Sequence, residues 1–537
     1  MVPWVKTGGL ADVVGALPAA LAGCGVELRA LLPGYPVILQ ALQRADSVGR
    51  SRLPWGDEVG VLRASAPGSD TPLYLIDAPW LYARGAGPYE DAQGYAYADN
   101  HRRFAALAWV ARDLACGLDP AWQPQVVHAH DWHAGLVPLY LALCTGGAQR
   151  RPSVFTIHNL AYQGVFRPVH LAELGIPAQA WHMEGVEYHG QIGFLKAGIV
   201  YADQVTTVSA SYAREIQTPE QGFGLDGLLR RHQHKLLGIR NGIDSRIWDP
   251  RSDPHLPAHY AVEDLRGRER NHLALGEELG LPAQHHAPRC AVLSRLHPHK
   301  GLGLVLDAAE RMLQDGAQLA ILGRGEFAIE QAFRALETRH PEQVRVRLGF
   351  DEALAHRLLA GCDMLLMPSQ FEPCGLTQMY AMRYGCVPLV HAVGGLADTV
   401  IPWQAASGAA EHKAGEGVPP PGQRADTDPA GGIGRSGATG LSSATGSSSA
   451  SGFPSASGLS SASGFSSASG FSSATGFSFT AFETAAFLGA WQAACACWLE
   501  PKRWLALQRA GMSLAFDWSE PARQYTRLYH ELGSVYG

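Results

Sequence analysis

Lys6-Thr7-Gly8-Gly9-Leu10-Ala11-Asp12 sets a cation and two bare glycines at the start of a run whose apolar positions, Leu10, Val13, Val14, Leu17 and Leu21, share one helical face. The pentapeptide Gly-Gly-Leu-Ala-Asp returns at Gly394, Gly395 and the three residues after them, behind the apolar stretch Val387-Pro388-Leu389-Val390. Adjacent glycines let backbone amides approach a ligand closely, and the positive end of the following helix favours an anion. One such loop in each half predicts two phosphate-facing walls. The first is not a Walker loop, because Lys6 precedes the glycines and no Gly-Lys-Ser/Thr element follows. A tight turn with a solvated lysine is the alternative. In a chain with 61 Gly a repeated pentapeptide arises by chance, so its surroundings decide.

Those surroundings alternate short apolar runs with helical patterns. Gln125–His130, Val154–Ile157, Gln204–Val208 and Leu236–Ile239 form one series; Cys290–Ser294, Gln318–Leu322, Val344–Leu348, Asp363–Met367 and Val387–Val390 form a second. Helices such as Leu302–Leu313 lie between them. This rhythm predicts an α/β fold with two parallel-sheet lobes, divided near the turn Asn241-Gly242. Helical character is also expected at Phe482–Leu499, Trp504–Leu514 and Pro521–Leu532, the last docking on a lobe.

Two domains plus an insertion suit 537 residues. A net charge of -6 argues against nucleic-acid or membrane-surface binding by charge. Nine scattered cysteines without paired metal spacing read as reduced cytosolic thiols. Neither a membrane-length apolar run nor a secretory or transit segment is present, so the chain reads as soluble and intracellular.

Between about Ala405 and Ser473 the pattern gives way to Gly, Ser, Ala and Pro. A hexapeptide, Ala-Ser/Thr-Gly-x-x-Ser, begins at Ala438, Ala444, Ala450, Ala456, Ala462 and Ala468, with an imperfect copy at Ala474. Its composition predicts disorder rather than a parallel β-helix, because it buries too little to offset chain entropy. It reads as an expanded surface turn.

Four further segments carry candidate chemistry. Arg295 and Lys300 flank Leu296-His297-Pro298-His299, after a strand and before Gly301 at a helix start, where open α/β sheets bind phosphates; two surface cations are the alternative. His128-Ala129-His130-Asp131-Trp132-His133 holds three histidines and an aspartate at a strand end, which suits a metal only with further ligands from elsewhere. His158-Asn159 offers an imidazole to a sugar hydroxyl or leaving group, with a core histidine as the ordinary reading. In Phe371-Glu372-Pro373-Cys374-Gly375 a proline and a glycine fix a turn holding a carboxylate over a cleft; a solvated Glu372 is the alternative.

Taken together, Lys6–Pro18, His128–Gly135, Thr156–Gly164, Gly193–Ala202, Ser294–Leu302, Pro368–Gln378 and Gly394–Val400 resemble, in order, the blocks of the bacterial glycogen synthase and plant starch synthase family. The resemblance covers nearly the whole chain apart from the repeat. It implies a GT-B fold of two Rossmann-like lobes facing a cleft, with a disordered Ser/Gly/Ala-rich insertion in the second lobe. The implied domains are an acceptor-side lobe at 1–242, a nucleotide-sugar lobe at 243–404, the insertion at 405–473, and 474–537 completing the second lobe and packing its last helix on the first. It further implies retaining transfer of glucose from ADP-glucose to the non-reducing end of an α-1,4-glucan, glycogen or starch, with no cofactor, metal, nucleic acid or membrane. The location would be cytoplasmic, or plastidic were a transit segment upstream.

Carried over by motif, His158, Glu372, Arg295, Lys300 and Asp131 are the expected catalytic residues. Lys6, Gly8, Gly9, Asp12, Asn241, Cys374, Gly375, Gly394 and Gly395 are expected at the donor, and Tyr97 and Asn159 at the sugar or acceptor. The family's retention is attributed to front-face attack, which needs no carboxylate nucleophile. Gly303, Gln370 and Val393 depart from its usual Asp, Arg and Thr. Only Met1–Val5 precede the first block, where the family carries a strand and loop; a start lying upstream is the expectation, and poor folding the alternative. The rival functions are a catalytically impaired glucan-binding homologue and a metal-dependent hydrolase on His128, His130 and His133. A phosphorylase would need a lysine-bound pyridoxal phosphate, for which no segment speaks. The end of the repeat, Ala474–Phe479, resembles the family's Gly-Phe turn.

Overall fold

Continuous apolar runs bounded by turns become strands buried on both faces, and the parallel sheets follow from them. A computed structural model of the chain describes residues 1–536 except 3, 67–70, 145–149, 283–286 and 405–472. In the second half, strands run in the order Val344–Leu348, Gln318–Gly323, Arg289–Leu293, Met364–Met367, Val387–His391 and Phe477–Phe479. All five pairings are parallel. Every residue of Gln318–Gly323 and of Val387–His391 is buried. Helix Leu302–Gln314 turns Leu302, Val305, Ala308, Ala309 and Met312 into the core beside this sheet.

The first half holds a second parallel sheet, ordered Leu236–Gly238, Gln204–Thr207, Ser153–Ile157 and Val127–His130. A mixed sheet stands apart from it, in the order Ala30–Pro33, Pro72–Asp77, Glu58–Ser65 and Ala45–Arg52, with antiparallel pairing of the last three. An apolar cavity of about 1010 Å³ lies along the edge strands of the two sheets, touching Ala30, Leu31 and Leu32 on one side and Val127, His128 and Ala129 on the other. The antiparallel strands have no counterpart in the sequence reading. Ala45–Arg52 is largely solvent-facing and carries Asp46, Arg50 and Arg52, so it lacks the apolar run that marks a buried strand.

The C-terminal helix Ser519–Tyr536 packs against the first-half helix Gly9–Ala22. Trp518, Ala522, Tyr525 and Leu528 share a core with Val13, Leu17, Leu21, Val154 and Ile239.

Cys116 and Cys144 lie side by side with their Cα atoms 7.6 Å apart, wider than a disulfide ordinarily spans, and the other seven cysteines are free. The segment at Phe477 is an edge strand rather than a turn, because Phe477 and Phe479 enter the core beside Leu389. The other repeat copies lie outside the described residues.

Candidate active site

The second-half sheet delivers the cationic residues. Strand Arg289–Leu293 ends just before Arg295, and the turn Pro298–Lys300 leads through Gly301 into helix Leu302–Gln314. Gly301 sits at φ 66, and a Cβ there would stand 1.8 Å from the Pro368 carbonyl oxygen. Only glycine permits that backbone conformation and that approach together. The close approach brings Lys300 to the loop after Met364–Met367, where its Nζ donates to Glu372 Oε2 at 2.6 Å. Ser369 Oγ donates to the same oxygen at 2.9 Å.

The two Gly-Gly loops differ in what their glycines face. A Cβ at Gly8 would meet nothing within 4 Å, and one at Gly9 only Leu376 Cδ1 at 3.9 Å. Protein packing therefore does not demand glycine at either position. At the second loop a Cβ on Gly394 would lie 2.0 Å from the Glu372 carbonyl oxygen, and one on Gly395 2.0 Å from that of Cys374. Gly394 N–H donates to Glu215 Oε1 at 2.7 Å and Gly395 N–H to the Glu372 carbonyl at 3.0 Å. Here the glycines let two backbones touch, and the carboxylate turn rests on them. Gly375, at φ 68, completes that turn.

In the first half, strand Val127–His130 ends at Asp131, held at φ 54 and ψ -177, a region almost closed to side chains. Its Oδ1 accepts the backbone N–H groups of His158 at 2.7 Å and Asn159 at 3.4 Å. Burial pushes the Asp131 carboxyl up to about 7, against those hydrogen bonds. His158 Nε2 lies 3.0 Å from His130 Nδ1. Burial holds both imidazoles down, His130 to about 4 and His158 well below its ordinary value, so both are neutral near pH 7.

Lys6 Nζ donates to Asp12 Oδ1 at 2.8 Å and lies 5.9 Å from the ring centre of Phe350, which is 77% exposed beyond strand Val344–Leu348. Arg295 Nη1 donates to the Tyr162 hydroxyl at 3.3 Å, joining the two halves across the cleft. Ser209 Oγ donates to the Pro373 carbonyl at 2.6 Å, and Ser211 Oγ to Asp398 Oδ1 at 2.5 Å. Asn241 is buried beside Cys374, and its Oδ1 has no protein partner.

The structure thus brings Lys300, Glu372, Cys374, Gly375, Gly394, Gly395 and Asn241 into one group, and Asp131, His158 and Asn159 into another. The Tyr97 ring lies 4.8 Å from the Arg103 guanidinium and 5.4 Å from that of Arg84, and its backbone N–H donates to the Tyr89 carbonyl at 3.0 Å. Tyr162, Ser369 and Phe350 carry no prediction. Ser369, three residues before Glu372 in the same turn, was the most readable of them. The metal alternative is corrected: His128 is occupied by Tyr529 and Thr156, His130 faces His158, and these histidines are in no three-donor cluster among the described residues.

Residues 1–231 match the starch synthase catalytic domain family, and residues 282–414 match glycosyl transferases group 1. Over 543 aligned residues the chain is 43% identical to the glycogen synthase of Serratia proteamaculans strain 568, covering 99% of this chain and 98% of that one. The chain belongs to the glycogen synthase family. The Variovorax paradoxus S110 member is 53% identical over 74% of this chain and 82% of its own length. The fold agrees. The catalytic domain of Arabidopsis thaliana starch synthase IV, bound to ADP and acarbose, superposes with a TM-score of 0.79 at 29% identity, covering 99% of this chain and 98% of that one. The two α/β lobes are those of a GT-B fold. No helix among the described residues is long and apolar enough to cross a membrane.

Proposed function

We propose that the chain transfers glucose from ADP-glucose to the non-reducing end of an α-1,4-glucan, with retention of configuration. The observation that carries this reading is the Lys300–Glu372 pair, set at strand ends facing the first lobe in a chain similar over its full length to a glycogen synthase. The ADP and acarbose bound by starch synthase IV support a nucleotide site and a glucan-like site on this fold.

In this reading Arg295 and Lys300 take the diphosphate, and their charge stabilises the negative charge that develops as ADP leaves. Lys6, Gly8 and Gly9 close the donor from the first lobe, with Asp12 holding Lys6. Both contacts to Glu372 fall on Oε2, which leaves Oε1 for a sugar hydroxyl. Asn241, Cys374, Gly375, Gly394 and Gly395 shape the donor wall. The last two act through the backbone they support. A neutral His158, oriented through Asp131, hydrogen-bonds the transferred glucose, while Asn159 and Tyr97 belong to the acceptor side. The acceptor hydroxyl attacks from the face on which ADP departs, so no carboxylate nucleophile is needed.

The working division is 1–242 for the acceptor lobe, 243–404 for the donor lobe and 474–537 for its completion. Seven free thiols among nine cysteines support a cytoplasmic location.

Offering purified protein ADP-glucose labelled in the sugar, with glycogen, tests the reading. Label in precipitated polymer supports it. Glycogen binding without incorporation would instead make this an inactive glucan-binding homologue.

A further inference from the structure

Three donor side chains from two segments converge outside the residues assigned to glucosyl transfer. His101 lies in the first turn of helix Asn100–Ala115, His170 ends the short turn Pro168–His170, and Glu173 follows it. His101 Nε2 is 3.5 Å from Glu173 Oε2, and His170 Nδ1 is 2.8 Å from the same oxygen. One ligand atom from each residue lies within 4.8 Å of the other two. The imidazole ring centres are 3.8 Å apart, with the two planes tilted by 31°.

We infer that His101, His170 and Glu173 form a binding site for a divalent transition-metal ion, with zinc the best fit. A tetrahedral zinc with ligands at about 2.0–2.1 Å separates neighbouring donors by roughly 3.4 Å; the 3.5 Å from His101 to Oε2 matches this, and the 2.8 Å hydrogen bond from His170 opens by about 0.6 Å when the ion takes the place of its proton. Two imidazoles and one carboxylate are a zinc donor set that leaves a fourth position open. Arg102 grips the other oxygen, Glu173 Oε1, which turns Oε2 toward the histidines. An outer partner of this kind orients a metal ligand. His101 is buried, whereas His170 and Glu173 are partly exposed, so an ion has a route in from solvent. Burial also lowers the His101 pKa, favouring the neutral imidazole a metal needs.

The ion would displace the proton shared by His170 and Glu173 and tie the helix to the 168–173 segment. No residue assigned to glucosyl transfer belongs to the cluster, so the site stands or falls independently of that activity.

Zinc chloride titrated calorimetrically into the full chain, after chelator treatment and removal of the chelator, tests the assignment. One zinc per chain is expected in the tightest class, with an observed enthalpy that varies linearly with buffer ionisation enthalpy because protons are released on binding. The paired variant His101→Ala/His170→Ala should weaken that class by more than the roughly 10–100-fold typical of losing an outer partner. Glu173→Gln, which retains the side-chain volume, should weaken it as well, and far-UV circular dichroism checks that each variant is folded. Cobalt(II) should give tetrahedral visible absorption in the wild type only. Equal affinity and stoichiometry in the wild type and either variant, or no stoichiometric class in the wild type, would show a hydrogen-bonded trio and nothing more.

Discussion

Lys300 Nζ and Glu372 Oε2 meet at 2.6 Å although 72 residues separate them in the chain. The side chains are 21% and 10% exposed, so the pair is largely withdrawn from water at the donor side of the cleft. A cation held on a carboxylate is pre-positioned, and a preorganised charge stabilises a developing anion without reorganising at the moment of reaction.

Lys300→Ala and Glu372→Ala should each lower kcat by about 10²–10³-fold, the range seen when one preorganised donor is removed. Because the two groups are in contact, the double variant should lose far less than the product of the single losses. Steady-state kinetics on all four proteins reads the coupling; strict multiplicativity would mean that the two act separately.

The contrast between the Gly-Gly loops predicts opposite outcomes. Gly8→Ala adds a methyl group where no protein atom lies within 4 Å, so Tm should hold while KM for the donor rises. Gly395→Ala drives a Cβ to 2.0 Å from the Cys374 carbonyl oxygen, so Tm should fall by several degrees and kcat with it. Thermal melts beside donor titrations separate the two effects.

Arg295 reaches the Tyr162 hydroxyl from the opposite half of the molecule. Tyr162→Phe removes that acceptor but keeps the ring, and should lower kcat/KM by less than about tenfold, the scale of one exposed hydrogen bond. Arg295→Ala removes the diphosphate ligand as well and should cost at least ten times more. Similar losses in both variants would assign Arg295 to bridging alone.

Acid stability carries two opposing contributions. His130, with its pKa lowered to about 4, binds a proton in the unfolded chain before it does in the native one, so its contribution is lost as pH falls from 6.5 toward 4. Asp131, raised to about 7, stays protonated in the native state after the unfolded carboxyl has ionised, and therefore destabilises the fold as pH rises from about 4 to 7. Denaturant melts across this window should fall less steeply with acid in His130→Asn and more steeply in Asp131→Asn than in the wild type.

The parallel sheets were legible because strands such as Val387–His391, buried on both faces, leave uninterrupted apolar runs between turn residues. The antiparallel strands were not, since Ala45–Arg52 faces solvent and carries charge. Within the site, residue types and strand-end positions were readable locally, as at Arg295 and Glu372. Partnerships were not: nothing near Lys300 points to Glu372, and nothing near His101 points to His170 and Glu173. The second Gly-Gly loop shows the limit of a local signal. Its glycines looked ligand-facing, and it took the third dimension to place the Glu372 and Cys374 backbones against them.

A crystal structure with ADP bound tests most directly whether the donor is held between the lobes. The diphosphate is expected within hydrogen-bond reach of Arg295 and Lys300, with Gly8 and Gly9 closing over it from the opposite lobe. ADP seated elsewhere, with the Lys300–Glu372 pair untouched by the ligand, would contradict the account.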